Sequence, residues 1–464
     1  MKSLHQDLIR LLSDKQVLTQ PEDLMAYASD ATYYYASRVP DAVVLPVTSE
    51  EVARVMKYAY EKEIPVTPRG AGSGLAGGCT PINGGIVLDM KRMNRLLEID
   101  HDNMTAEVEA GLVHRQFTRA VERQGLFYPP DPQSAAVCTL GGNIATRAGG
   151  PRGVKYGTTG NYVLGTEVVL ADGSIIKTGG KMVKQSSGYD ITHLIAGSEG
   201  TLGIITRANL RLLTLPPVNN TMVISCSSLD QAAELVSAII ASGTVPAMLE
   251  FLIKLAIMVM NNYITPPLPL DYEAYLLVDV DGTARQVQED TKKIKDICQD
   301  LGIPDLRIIE DPHEAASYWE ARSKLYPLML SIMKRVITED ITVPRNRIPD
   351  FVRGVQAIAA DIAIQIGLAG HSGDGNMHPT ILQPEINDEI NAKAKQAIDR
   401  IIRIGLDLGG TISGEHGIGL HKQEYLEWEF GRTQVELMKR IKTAFDPKGL
   451  LNPGKIWLEG GDAE

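Results

Sequence analysis

The stretch Pro68-Arg-Gly-Ala-Gly-Ser-Gly-Leu-Ala-Gly-Gly78 decides which fold the chain can adopt. Gly72, Gly74 and Gly77 spell a literal G-x-G-x-x-G, the dinucleotide fingerprint of a doubly wound sheet. That fingerprint works only where a helix opens on the loop and turns its N–H groups to the pyrophosphate. Here Cys79-Thr-Pro-Ile-Asn-Gly-Gly85 follows, which is turn chemistry. The Rossmann reading is therefore rejected. Consecutive glycine N–H groups can still form a backbone nest for a pyrophosphate. For the loop alone, a structural Gly-rich turn is the alternative.

Outward from this loop, more segments of small residues follow: Pro129-Pro-Asp-Pro132, Thr139-Leu-Gly-Gly-Asn143, Ala145-Thr-Arg-Ala-Gly-Gly150, Tyr156-Gly-Thr-Thr-Gly-Asn161 and Gly197-Ser-Glu-Gly-Thr-Leu-Gly203. Several such loops let backbone approach a large flat cofactor closely. Between them run short β-like segments at Gly85–Asp89, Thr105–Ala110, Val163–Leu170 and Thr201–Leu213. Residues 1–35 read as amphipathic helix, and Ser49 as the N-cap of a helix running to about Glu63. This half reads as an α+β domain with functional loops.

The composition changes after Pro216-Pro217. Segments 219–227, 245–253, 273–280 and 305–310 read as strands, with helices at 229–242 and 284–301. The repeated β-α-β order is that of ferredoxin-like sheets. Apolar Ile386, Ile390, Ala394, Ala397, Ile401 and Ile402 give a helix over 385–408, and Gly409 stops it. One antiparallel sheet with helices on one face is expected.

This second half carries the densest polar motif, His371-Ser-Gly-Asp-Gly-Asn-Met-His378, and later Ser413-Gly-Glu-His-Gly-Ile-Gly419. Neutral imidazoles with an ionised carboxylate suit a borderline divalent metal. There is no His-Glu-x-x-His, and Gly373, Gly375 and Pro379 exclude a helix through the first motif. In a straight strand His371 and His378 would face opposite sides, whereas a turn at Gly373-Asp374-Gly375 would return both to one point. Satisfied structural histidines are the bland alternative. His114, His193, His313 and His421 receive that bland reading, and Met258 and Met260 read as packing.

Bulk properties bound the function. At 464 residues the chain exceeds one hydrophobic core, and 44% apolar with 22% charged residues is ordinary for a globular protein. A net charge of −11 and pI near 5.4 argue against nucleic acid as a partner. Cys79, Cys138, Cys226 and Cys298 form no C-x-x-C, which argues against an iron–sulfur or Cys-zinc site. No apolar run has transmembrane length, and the N-terminus lacks a signal-peptide core. The reading is a cytoplasmic protein, open to peripheral membrane attachment through a partner and to oligomerisation.

Together, Pro68–Gly74, Pro130-Asp-Pro132, Gly141-Gly-Asn143, Gly197–Gly203, His371–His378, Gly414-Glu-His-Gly417 and Asn452-Pro-Gly-Lys455 resemble the flavoproteins of vanillyl-alcohol oxidase type. Within them the chain is similar to the FAD-linked D-2-hydroxyacid dehydrogenases of the D-lactate dehydrogenase and glycolate oxidase large-subunit branch. The resemblance covers nearly the whole chain. It implies an α+β fold with a two-lobed FAD-binding domain over 1–217. It implies a cap domain over 218–420, an antiparallel sheet with ferredoxin-like repeats, and a segment 421–464 returning to the FAD domain. By resemblance, Arg69, Gly70, Ala71, Gly72, Ser73 and Gly74 hold the FAD pyrophosphate. Pro130, Asp131, Ser134, Gly141, Gly142, Ala145, Thr146, Gly149, Glu199, Gly200 and Ile205 line the adenine and flavin, and Asn452 closes the site. The loop after Arg69 offers no His or Cys at a usual covalent position, so FAD is expected to be noncovalent.

The reaction implied is removal of the hydroxyl proton of a 2-hydroxy acid and hydride transfer from C2 to flavin N5. A divalent metal (Zn, Fe or Mn) on His371, His378 and Glu415 would acidify the hydroxyl. His416 would be the general base. Arg322 matches the family's carboxylate-binding arginine, a surface helix arginine being the alternative, and Asn376 would orient substrate or metal shell. Some 2-hydroxyglutarate enzymes carry a lysine where this chain has Thr338-Glu339-Asp340, which favours a short acid, D-lactate, over a dicarboxylate. Electrons would pass to an electron-transfer flavoprotein, an iron–sulfur subunit or a quinone. The rivals are glycolate oxidation, D-2-hydroxyglutarate oxidation, an ether-lipid synthase, which should need more basic cap residues, and a noncatalytic FAD scaffold, which would not need the histidines.

Overall fold

The computed structural model describes residues 2–32 and 38–458, so the last part of the expected N-terminal helical stretch, 33–35, lies outside the described residues. Two compact units emerge: 1–148 with 158–215 and 415–464, and 149–157 with 216–414.

The first unit holds two sheets. In one, strands Ala42–Val44, Ile86–Asp89 and Val66–Arg69 run parallel, with Val17–Leu18 antiparallel at the edge. The other is antiparallel and five-stranded: Leu96–Asp100, Thr105–Glu109, Ile204–Arg211, Val163–Val169 and Ile175–Gly179. The N-terminal stretch is two short helices, Lys2–Leu11 and Pro21–Met25, split by a strand. Helix Ser49–Lys62 buries Val52, Val55, Met56 and Ala59, one stripe at 3.6-residue spacing. Its N-cap is Thr48, one residue before the expected Ser49, because the Thr48 hydroxyl accepts the Glu51 N–H.

The second unit is built on β1 (Val218–Cys226), α1 (Leu229–Ala241), β2 (Met248–Ile253), α2 (Lys254–Met260), β3 (Ala274–Gly282), α3 (Ala284–Asp300) and β4 (Asp305–Ile309). There follow α4 (Pro312–Ser323), α5 (Leu325–Ile332), β5 (Arg335–Thr338), β6 (Ile341–Thr342), α6 (Ile348–Ile362), β7 (Ile366–His371), β8 (Asn376–Gln383) and α7 (Asp388–Asp407). The sheet order is β4-β1-β3-β2-β7-β8-β5, with β6 also on β8. The first four strands form one β-α-β-β-α-β unit. β5/β6-α6-β7-β8-α7 repeats it, joined through the antiparallel β2–β7 pair. Where the repeat calls for a fourth strand, Thr411 and Ser413 bridge Thr342 and Asp340.

Register sorts the side chains. Val223 pairs with Leu277, Leu252 with Tyr275 and Ala369, Ala369 with His378, and Val336 with Leu382. One face is therefore apolar at one end, where α2, α4 and α5 cover it with Ile257, Met260, Tyr318, Leu325 and Met329. The other face, with Leu249, Phe251, Leu276 and Val278, carries α1, α3, α6 and α7. Helices thus lie on both faces, not one. The apolar strand ends Val223, Leu252 and Leu277 would otherwise be left in water, which the hydrophobic effect opposes. No described helix is long and apolar enough to cross a membrane.

Candidate active site

Beyond α2, α4 and α5, the same face of the second unit's sheet turns polar. Strand β7 ends at His371, and β8 begins at Asn376 directly opposite it. Between them Asp374 N–H donates to His371 O (3.2 Å) and Gly375 N–H to Ser372 O (3.3 Å). Gly375 sits at φ 89, a left-handed turn position that favours glycine. With His371 opposite Asn376 and Ala369 opposite His378, the two histidines are diagonal neighbours on one face. Their rings are 5.1 Å apart and nearly perpendicular, at 87°.

Each ring turns Nδ1 to an oxygen. His371 Nδ1 meets Glu250 Oε1 at 2.5 Å, and His378 Nδ1 meets Glu339 O at 3.2 Å and Asp340 Oδ1 at 3.8 Å. In the tautomer where Nδ1 donates, Nε2 carries the lone pair a metal needs. Glu250 on β2 is fully buried, and its Oε2 lies 2.7 Å from Arg322 Nη2 on α4. Burial alone would raise the Glu250 pKa. The charges of His371 and Arg322 and the His371 hydrogen bond outweigh it and hold the carboxyl below its ordinary range. Among the described residues, Arg322 is the one buried Lys or Arg side chain of this unit, so the surface-arginine reading is replaced by a buried ion pair.

Asn376 and Thr342 complete the corner. Asn376 Oδ1 and Thr342 Oγ1 are buried and accept no hydrogen bond among the described residues. They flank Gly414, whose N–H donates to Asp340 O at 3.2 Å. Glu415 follows by one peptide bond, about 3.8 Å between α-carbons. Farther along the face, Asp279 accepts from Thr221 Oγ1 (2.7 Å) and Asn219 Nδ2 (3.1 Å), and Asp281 from Tyr156 (2.7 Å) and Lys155 (2.5 Å).

In the first unit, the loop after Arg69 packs on the start of a short helix, Leu140–Thr146, capped by Thr139. Ser73 Oγ approaches Ser134 Oγ at 3.5 Å. Gly141 N–H donates to Ala110 O (2.7 Å), Gly142 N–H to Thr139 Oγ1 (3.3 Å) and Thr146 Oγ1 to Gly142 O (3.3 Å). Pro130 O meets His114 Nε2 at 2.8 Å. Glu199 N–H donates to Ala145 O (2.8 Å), Gly200 packs on Pro68, and Ile205 is buried on its strand. Asn452 Nδ2 ties Gly78 O (2.7 Å) to Glu199 O (2.8 Å). Arg69 turns Nη1 to Ser29 O (2.8 Å) and lies over the Tyr27 ring. Asp131 is partly buried. Gly149 opens the short segment 149–157 that belongs to the second unit. Glu415 and His416 are half-buried and open the last segment of the first unit, where Leu420 and His421 N–H both donate to Ala76 O.

Sequence reasoning missed Glu250. Its signal was one acid inside the otherwise apolar strand Met248-Leu-Glu-Phe-Leu-Ile253, where a charge must have a partner.

Comparison with known proteins adds names to this geometry. Residues 215–456 match the family "FAD linked oxidases, C-terminal domain", and residues 40–179 match "FAD binding domain". The chain is 41% identical to glycolate oxidase subunit GlcD of Bacillus subtilis over 99% of its own length and 97% of that protein's. It is 39% identical to a D-lactate dehydrogenase of Archaeoglobus fulgidus, covering 89% of this chain and 90% of that one. Among solved structures, p-cresol methylhydroxylase with substrate bound superposes with TM-score 0.83 over 99% of this chain and 97% of that one. At 19% identity that likeness shows the fold alone.

Proposed function

Because the chain belongs to the FAD linked oxidases, within the vanillyl-alcohol oxidase type, and so is an FAD-dependent oxidoreductase of hydroxy acids, we propose that it oxidises D-lactate to pyruvate with the aid of a divalent metal. The observation that carries this reading is the pair His371 and His378 on one sheet face, each Nδ1 turned to an oxygen. That donor set suits a borderline divalent ion, and the unsatisfied Asn376 Oδ1 beside Gly414 suits a bound hydroxyl or water. His371, His378 and Glu415 are assigned as ligands, and Asp340, whose carboxylate lies 3.8 Å from His378 Nδ1, is a further side chain of ligand type. When bound, FAD accepts a hydride at N5 and the metal lowers the pKa of the substrate hydroxyl.

The chain's own residues do the rest. His416 takes the hydroxyl proton. Arg322 supplies the buried cation toward which the substrate carboxylate is drawn, and Glu250 fixes His371. Asn376 orients the substrate. Buried Asp340 beside His378 disfavours a second substrate carboxylate, which argues against a 2-hydroxyglutarate. Noncovalent FAD is supported by the loop after Arg69, which offers no His or Cys at a usual covalent position. A separate protein, an electron-transfer flavoprotein or an iron–sulfur subunit, or a quinone, takes the electrons. Glycolate is the second reading, favoured by the Bacillus subtilis relative's name.

Anaerobic mixing with D-lactate, L-lactate, glycolate and D-2-hydroxyglutarate tests this. D-lactate should bleach the flavin fastest; equal rates with L-lactate would sink the stereochemical claim, and faster glycolate would replace the substrate.

A further inference from the structure

Glu199 lies in Gly197-Ser-Glu-Gly-Thr-Leu-Gly203, and the family resemblance places it among the flavin-lining residues. Its side chain is engaged elsewhere. Oε1 accepts the Ile418 N–H and Oε2 the Gly419 N–H, each at 2.8 Å. The residue is only 9% exposed, and burial raises its carboxyl pKa against the lowering effect of those amides and of Lys455 and Lys422. Backbone bonds hold it from both sides: its N–H goes to Ala145 O, and its carbonyl accepts from Asn452. At φ 52 Glu199 occupies a left-handed conformation that costs a non-glycine residue about 1 kcal/mol or more.

What this carboxylate grips is the segment just after the proposed base. Leu420 and His421 N–H donate to Ala76 O at 2.7 and 3.2 Å, and Gly419 O accepts the Ile456 N–H at 2.9 Å. All four amides from 418 to 421 are thus fastened, two to one carboxylate and two to one carbonyl. Gly419 has φ 49, and a Cβ there would press into the Ala76 carbonyl, so glycine is required for the close approach. One carboxyl side chain thus fastens two successive backbone N–H groups, one on each oxygen.

We infer that Glu199 is a positioning residue for His416: its carboxylate clamps the amides of Ile418 and Gly419 and so sets where the imidazole two residues earlier can lie. The clamp joins the Gly197–Gly203 loop to the base-bearing segment. This deepens the reading of His416 as the base and rests on it.

The test uses full-length, FAD-loaded protein with Glu199→Ala and the isosteric Glu199→Gln, which keeps one acceptor. Amide hydrogen exchange is read at Ile418 and Gly419, together with flavin content and the limiting rate of anaerobic flavin reduction by D-lactate. Glu199→Ala should lose protection at both amides and keep its flavin. Its limiting rate should fall by about 100-fold, the scale expected for an ångström of misplacement, with half-saturation moving far less. Glu199→Gln should fall between it and wild type. Unchanged protection in the variants overturns the clamp. Lost protection with an unchanged limiting rate overturns its role in positioning His416, as does a rate loss that merely follows flavin loss. If the wild-type flavin is reduced by no 2-hydroxy acid, the reaction assignment fails and His416 loses the role that this inference deepens, while exchange at the two amides still decides whether the clamp exists.

Discussion

Glu250 has no exposed surface, yet it lies ionised between an imidazole and a guanidinium. A lone carboxylate there would be prohibitively desolvated, so each partner exists partly for the others. Glu250→Leu should therefore destabilise the fold by about 3–5 kcal/mol, since it removes one partner of the buried Arg322 charge, and urea denaturation would show it. Glu250→Gln keeps an acceptor for the His371 ring but removes the charge. Its expected effect is about a 10–100-fold weaker hold on the proposed metal, with flavin unaffected. Chelator competition on the folded protein measures this, and an unchanged metal affinity would refute the role assigned to Glu250. The contact was invisible in the sequence because Glu250 and His371 stand 121 positions apart.

At the scale of elements, strand parity governs what faces the corner. The seven-residue spacing of His371 and His378 looked wrong for one face until the turn at 372–375 reversed the chain. On β3, alternation puts Tyr275 and Leu277 under α2 and α4 but leaves Asp279 on the polar half. Burial, partly offset by the Thr221 and Asn219 hydrogen bonds, pushes the Asp279 carboxyl up from 3.8 to about 6. A carboxyl with a raised folded pKa holds its proton better in the fold, so stability falls as pH rises from about 4 through about 6. The full loss is roughly 3 kcal/mol at most. Asp279→Asn should raise Tm at pH 8 and leave it nearly unchanged at pH 4; equal shifts at both would show that the ionised carboxylate is not the cause.

For the whole molecule, the proposed reaction assigns hydride acceptance to FAD and hydroxyl activation to a metal, so the two should be separable by reagent. A strong chelator is expected to abolish bleaching by D-lactate while dithionite still reduces the retained flavin. Substrate-driven bleaching that survives complete metal removal, checked by metal analysis, would overturn the metal's role. The helix at Asp388–Asp407, its stop at Gly409 and the strands of the first cap repeat were legible in the chain because period and turn chemistry are local properties. So was the failure of the G-x-G-x-x-G to open a helix. The helix cap moved only from Ser49 to Thr48, neighbours of equal capping chemistry. The sequence by itself therefore determined the α+β class, the flavin family and the strands and helices whose period is local. Only the tertiary structure decided that helices cover both faces of the cap sheet, that Glu250 joins His371 to Arg322, and that Glu199 holds Ile418 and Gly419. Those outcomes depend on contacts between residues distant in the chain, and such contacts leave no periodic trace in it.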